Sequence, residues 1–243
     1  MTDLSTVVQA NNLSIEFSKQ GTDKGYFHSY TDLFYQPLFE LCSKKPESIF
    51  EIGIQYKASL ALWKLYFPLS KVSGCDIDIH QETHPLAARM ITENEISVFE
   101  GDAYSDKSII PDETDLIIDD GPHTIESQLM ILSFREKLSK NGLLVIEDIG
   151  DIGGPIYCFK KLLDSLPKSE RRKCLCLDYS RNKGRWDDAV FVYSNDPEVL
   201  KKLSKRLAKF HIHNSRVGTY YVAASLYAKI SSLRKKLGVK IFS

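Results

Sequence analysis

Short apolar runs, each ending in a glycine or an acid, alternate along the chain with longer stretches in which apolar residues recur at helical spacing. That alternation is the pattern of a parallel sheet joined by crossover helices. The runs stand at Ser48–Ile52, Lys71–Cys75, Ile96–Glu100, Leu116–Ile118 and Leu143–Ile146, spaced as βαβ units require. Between them, Ser59–Tyr66 predicts the first crossover helix. Thr124–Leu138 predicts another, with Ile125, Leu129, Leu132 and Leu138 near one face and Asn141-Gly142 as its stop. Ile156–Leu166 continues as a helix behind Pro155, and Lys173–Leu177 and Ala189–Tyr193 read as two closing strands in antiparallel pairing. The division expected is a helical cap over residues 1–45, an α/β core over 46–196 and a helical extension over 197–243, with amphipathic or basic helices at Glu198–Lys209 and Ala223–Leu237.

Composition narrows the class. Of 243 residues, 43% are hydrophobic and 26% charged, which suits a globular α/β protein with a buried core. Lys and Arg number 32, as do Asp and Glu, so no global field draws nucleic acid. The charge is uneven locally, because Glu198 is the lone acid after Pro197 among many lysines and arginines. Leu226, Ile230, Leu233 and Leu237 fall at helical spacing beside Arg234, Lys235 and Lys236. We read that segment as packing on a second subunit, hence a homo-oligomer, with peripheral contact to membrane headgroups as the alternative. No apolar run approaches the roughly 20 residues of a spanning helix, and the first residues lack the order of a signal peptide, so a cytoplasmic location is expected. Five cysteines without a C-x-x-C pair predict reduced, mostly buried thiols, with Cys174 and Cys176 on one strand face.

The strand ends carry the candidate chemistry. The first strand runs into Glu51-Ile52-Gly53-Ile54-Gln55-Tyr56-Lys57-Ala58-Ser59, a turn at the carboxyl edge where nucleotides bind in open α/β sheets, or simply a tight βα turn. Gly53 allows backbone to approach a ligand. Asp76 ends the second strand, about twenty residues further on, the distance at which an acid reaches ribose hydroxyls. Asp102 follows the third strand, where it either accepts from an adenine amino group or caps the helix that follows. An adenosine-type ligand follows from acids at three successive strand ends. The absence of G-x-G-x-x-G disfavours a dinucleotide, since nothing else here holds a pyrophosphate at a helix N-terminus.

Asp119-Asp120-Gly121-Pro122-His123 ends the fourth strand and Glu147-Asp148 the fifth. Carboxylates crowded on one sheet edge are costly without a cation, so Asp120, Glu147 and Asp148 are predicted to hold Mg²⁺, or Mn²⁺, with Asp119 as an alternative ligand. His123 is placed to act as general base. An iron oxygenase is disfavoured because no H-x-D or H-x-E pair with a plausible partner is present, and a non-catalytic binding module remains a rival reading.

Together these motifs resemble the class I S-adenosylmethionine-dependent methyltransferases typified by macrolide sugar O-methyltransferases, related to proteins called cephalosporin hydroxylases. The resemblance runs through Thr22-Asp23-Lys24-Gly25 with His28 and Tyr30, the turn at Glu51, Gly74-Cys75-Asp76-Ile77-Asp78, the run at Asp119, Glu147-Asp148, and Gly184-Arg185-Trp186-Asp187-Asp188. It implies a Rossmann-like, seven-stranded, mostly parallel sheet with a reversed last strand and helices on both faces. It also implies S-adenosylmethionine as cofactor, with Lys24 and Tyr30 closing its site, and Mg²⁺ on the acids at 120, 147 and 148 with His123 as base. The cofactor residues expected are then Lys24, Tyr30, Glu51, Gly53, Lys57, Ser59, Asp76, Asp102 and Asp119, and the acceptor is a small molecule or glycan, methylated on a sugar hydroxyl or, alternatively, on an amine. Where the family usually has glycines this chain has Lys57-Ala58, and Lys57 is read as a counter-ion to the cofactor carboxylate. Pro122 stands where the family commonly has Ser.

Overall fold

The computed structural model describes residues 3–80, 82–150, 154–213 and 217. Eight strands form one sheet: β1 Ser48–Ile52, β2 Lys71–Asp76, β3 Ile96–Glu100, β4 Thr114–Asp119, β5 Leu138–Ile146, β6 Cys174–Asp178, β7 Ala189–Ser194 and β8 His211–Ile212. Their order is β3-β2-β1-β4-β5-β7-β6-β8. The first five run parallel, and β7 enters antiparallel between β5 and β6. The seven expected strands are therefore present, and the two-residue β8 adds an eighth on the edge of β6.

Alternation along the strands sorts the core into two layers. Ile49, Val72, Leu116, Ile118, Val145, Leu177 and Val192 face one side, packed under α1 Leu4–Ala10, α2 Gln36–Leu41, α3 Ala58–Tyr66, α4 Pro85–Thr92 and α8 Pro197–Arg206. Phe50, Ile52, Ile117, Leu144, Ile146, Cys174, Cys176 and Phe191 face the other, under α5 Ile125–Ile131 and α6 Gly154–Ser165. The two cysteines of β6 share a face, as expected, and both are buried.

The helix expected over Thr124–Leu138 is shorter than its periodicity suggests. Thr124 caps α5 by accepting from the Ser127 amide, but the chain tightens to a 3₁₀ turn over Leu132–Lys137, and Leu138 already pairs with Thr114 in the sheet. Asn141-Gly142 lies inside β5 instead of ending the helix, because strand pairing satisfies the backbone that a longer helix would have used. A short helix, α7 Ser180–Lys183, sits within the β6–β7 connection. No helix among the described residues is long and apolar enough to cross a membrane. The helix expected at Ala223–Leu237 lies outside the described residues.

Residues between α1 and α2 cross the carboxyl edge of the sheet. They end in a five-residue π turn, Thr31–Tyr35, that runs directly into α2. This crossing segment places Lys24, His28, Tyr30 and Tyr35 against the acids of β4 and β5.

Candidate active site

The chain runs outward from β1 to β2 and β3 on one side and returns through β4 and β5 on the other, so the crevice between β1 and β4 is the switch point of the sheet, where α/β proteins bind ligands. A cavity of about 510 Å³ opens there, walled by Ile52, Gly53, Asp76, Asp102, Tyr104, Asp120 and His123 among others. A second lobe of about 240 Å³ continues past Gly53 to Ser59, Thr22 and Asp23.

Gly53 is required on two counts. Its φ is +79°, and a Cβ on it would stand 2.1 Å from the Asp120 carbonyl oxygen, so the β1 and β4 turns approach this closely only with glycine. The turn is fixed from below by Asp76, whose Oδ2 accepts the Ile54 and Gln55 amides, each at 3.0 Å. Lys57 adopts φ 61° and ψ 9°, the left-handed conformation that glycine would take without strain. Its ammonium, however, donates to the Ile79 carbonyl at 3.0 Å, and Ser59, not Lys57, lines the smaller lobe.

Asp102 caps a turn, where a helix was expected to follow. Its carboxylate accepts the Tyr104 amide at 2.9 Å and the Ser105 hydroxyl at 2.6 Å, capping the turn, while the residue also lines the cavity. Tyr104, which the strand pattern did not single out, lines the same wall and donates its hydroxyl to Asp119. The signal that would have found it is its place two residues beyond Asp102 at a strand end. Asp119 is buried behind it.

At the β4–β5 end the acids divide into two groups. Asp120 Oδ1 and Asp148 Oδ2 lie 3.7 and 3.9 Å from His123 Nε2, and one ligand atom from each of the three falls within 4.8 Å of the others. Two carboxylates so placed suit a divalent ion, and the imidazole beside them is positioned to accept a proton. Glu147 points inward instead, as successive residues at a strand end alternate in direction. Its carboxylate takes the Tyr35 hydroxyl at 2.5 Å and the Lys24 ammonium. Lys24 is 1% exposed. It also pairs with Asp120 at 2.5 Å and Glu51 at 3.1 Å, and Glu51 accepts from the Trp63 indole at 2.9 Å. Lys24 and Glu51, both expected at the cofactor, are thus parts of one buried ion network behind the cavity wall.

A second network braces Asp148. It accepts from Tyr30 at 2.6 Å, and His28 stands 3.5 Å away while bonding Asp188 at 2.6 Å and facing Asp23 at 3.4 Å. Burial opposes the charge on His28, but Asp188, Asp23 and Asp148 raise it to about 10. Asp23, in spite of burial, is drawn down to about 2 by His28 and Lys24. Burial likewise opposes the charge on Lys24, and Asp120, Glu147 and Glu51 overcome it, holding the ammonium well above its ordinary value. For the carboxylates burial prevails: Asp119, Asp120 and Asp148 each rise to about 6 and Glu147 rises further.

These shifts set a pH dependence. Aspartates at about 6 when folded against 3.8 when unfolded contribute stability that is present below 3.8 and lost as pH rises through 6. His28 contributes stability below 6.5 that is lost on approach to about 10. Without divalent cations, the melting temperature is expected to fall between about pH 5 and about pH 8, and Mg²⁺ is expected to flatten the decline. A melting temperature that rises over that interval in EDTA would contradict this electrostatic account.

No protein-family model matches the sequence, and no curated protein is significantly similar to it. Among solved structures, spermidine synthase from Thermotoga maritima superposes with a TM-score of 0.51 at 18% identity, over 90% of this chain and 76% of that one. A methyltransferase from Geobacter sulfurreducens gives 0.48 at 15% identity, over 80% and 91% of the two chains. A cmcI structure described as Mg-SAM gives 0.42 at 23% identity, over 61% and 65%. What the first superposition establishes is the architecture: this chain has the Rossmann-like, mostly parallel α/β fold of the Thermotoga maritima enzyme.

Proposed function

We propose that the protein is an S-adenosylmethionine-dependent, divalent-metal-assisted methyltransferase that acts on a hydroxyl of a sugar, in a glycan, a nucleotide sugar or a glycosylated small molecule. The observation that carries this reading is the convergence of Asp148 on Asp120 and His123, which wall one end of a nucleoside-sized cavity on the switch point of the sheet. In this reading the nucleoside lies along Gly53, Asp76, Asp102 and Tyr104, and the methionine end lies toward Ser59 and Thr22. A divalent ion would be held by Asp120 at the wall and by Asp148 close to it, with Glu147 beside them, its oxygens engaged in this structure by Lys24 and Tyr35. A bound divalent ion would lower the pKa of a coordinated hydroxyl and orient it.

The chain's own residues supply the remaining work. His123 takes the hydroxyl proton, the oxygen lone pair forms the new O–CH₃ bond, and the S–CH₃ bond breaks to leave neutral S-adenosylhomocysteine. Because attack on a sulfonium methyl is mainly a matter of alignment, the bracing of Asp148 by Tyr30 and His28 serves catalysis by holding the acceptor's position.

Thermal melts with S-adenosylhomocysteine test this reading. At 100 times its dissociation constant the ligand adds about 2.7 kcal/mol, which in a chain of this size raises the melting temperature by roughly 5–10 °C. Mg²⁺ should add to that shift and EDTA should remove the addition. No shift at millimolar ligand would favour the non-catalytic module. An amine acceptor is the second reading, since the paired carboxylates of Asp120 and Asp148 suit an ammonium group, and turnover insensitive to EDTA would select it.

A further inference from the structure

Beside the carboxylates at the end of β5 stands a side chain used by neither the core nor the cofactor cavity. Trp186 is 61% exposed, whereas the other tryptophan, Trp63, is fully buried. Its ring lies against Gly150, two residues beyond Asp148, so closely that a Cβ there would meet indole carbon Cζ3 at 2.4 Å. The backbone that carries it is anchored. Arg185 stacks 3.8 Å from the centre of the Phe27 ring and donates Nε–H to Asp188 at 3.2 Å, and Asp188 in turn bonds His28, the residue facing Asp148. At the end of α7, Lys183 sits 3.7 Å from the centre of the exposed Tyr26 ring, joining the same two segments again. A broad indole is therefore kept in water by a braced loop, against the stretch of chain that carries Asp148 two residues before Gly150. Exposed aromatic surface so placed marks a contact face.

Resting on the methyl-transfer reading above, we propose that Trp186 is the acceptor platform, and that the acceptor is a neutral pyranose-type ring. Such a ring offers an apolar C–H face to the indole and a rim of hydroxyls to Asp120, His123 and Asp148. A flat aromatic or an acyl chain would cover the indole equally well but leave those polar groups unpaired. An acidic ring would meet Asp148 and Asp187 with like charge.

Two tryptophans of opposite exposure make the test direct, because acrylamide quenching of the intrinsic fluorescence reports chiefly on Trp186. The full-length protein, with S-adenosylhomocysteine present, is titrated with methyl glucoside, methyl mannoside and methyl rhamnoside, and separately with glycerol and with catechol. At least one pyranoside is expected to lower quenching toward the level that Trp63 alone gives in Trp186→Phe, and glycerol is expected to leave it unchanged. For that pyranoside, Trp186→Ala should raise KM by about tenfold or more with kcat little changed, while Trp186→Phe retains most of the affinity. The platform is overturned if no pyranoside protects at tens of millimolar, if catechol alone protects, or if Trp186→Ala leaves KM unaltered. A missing thermal shift with S-adenosylhomocysteine would instead overturn the methyl-transfer reading, and quenching without that ligand would still judge the platform.

Discussion

Replacing Lys24 with methionine lowers stability at neutral pH by about 3–5 kcal/mol, because it leaves Glu51, Asp120 and Glu147 buried without their counter-charge. Urea or thermal unfolding reads the loss, roughly 6–20 °C in melting temperature for a chain of this length. The loss should be smaller near pH 5, since Asp120, at about 6, and Glu147, raised further, then take up protons and shed the repulsion. Methionine is the informative replacement, as it keeps most of the unbranched apolar stem and removes the ammonium with its charge and hydrogen bonds. An equal loss at acid and neutral pH would show that Lys24 contributes packing alone.

The second large effect is on turnover. Asp120→Asn and His123→Asn should each lower kcat by about 10²–10⁴-fold, the range for removing a general base or the group that orients its substrate. Asparagine is chosen at 123 because His123 has φ 55°, and asparagine tolerates that left-handed conformation better than most residues. His123→Asn should leave the melting temperature and the shift caused by S-adenosylhomocysteine near those of the unaltered protein. If turnover with an accepted substrate survives both changes, the proton leaves by another route and the assignment of His123 as base is wrong.

Much of the framework was legible in the sequence. All five parallel strands lie where the apolar runs stand, because a strand covered on both faces must be apolar throughout, and β6 and β7 pair antiparallel as read. The helix before β5 was misjudged because apolar period cannot report where sheet pairing begins: Leu138 suits either partner, and Thr114 claims it. The crossing segment was the least legible part. Tyr30 and Tyr35 are five residues apart and would diverge by about 140° on an α-helix, yet the π turn brings their hydroxyls to the neighbouring acids Asp148 and Glu147.

The sequence by itself determined the alternation of strand and helix and the positions of glycine and acid at the strand ends, because local pattern encodes which residues must be buried and where the backbone must turn. Tertiary structure alone decided what each acid does. Burial and a counter-charge carried in from a distant segment make Glu51 and Glu147 partners of Lys24, whereas Asp148 is turned toward His123 and Asp120 lies between the two, one oxygen on Lys24 and the other facing His123. Charge interactions depend on distance through space, and no spacing along the chain specifies that.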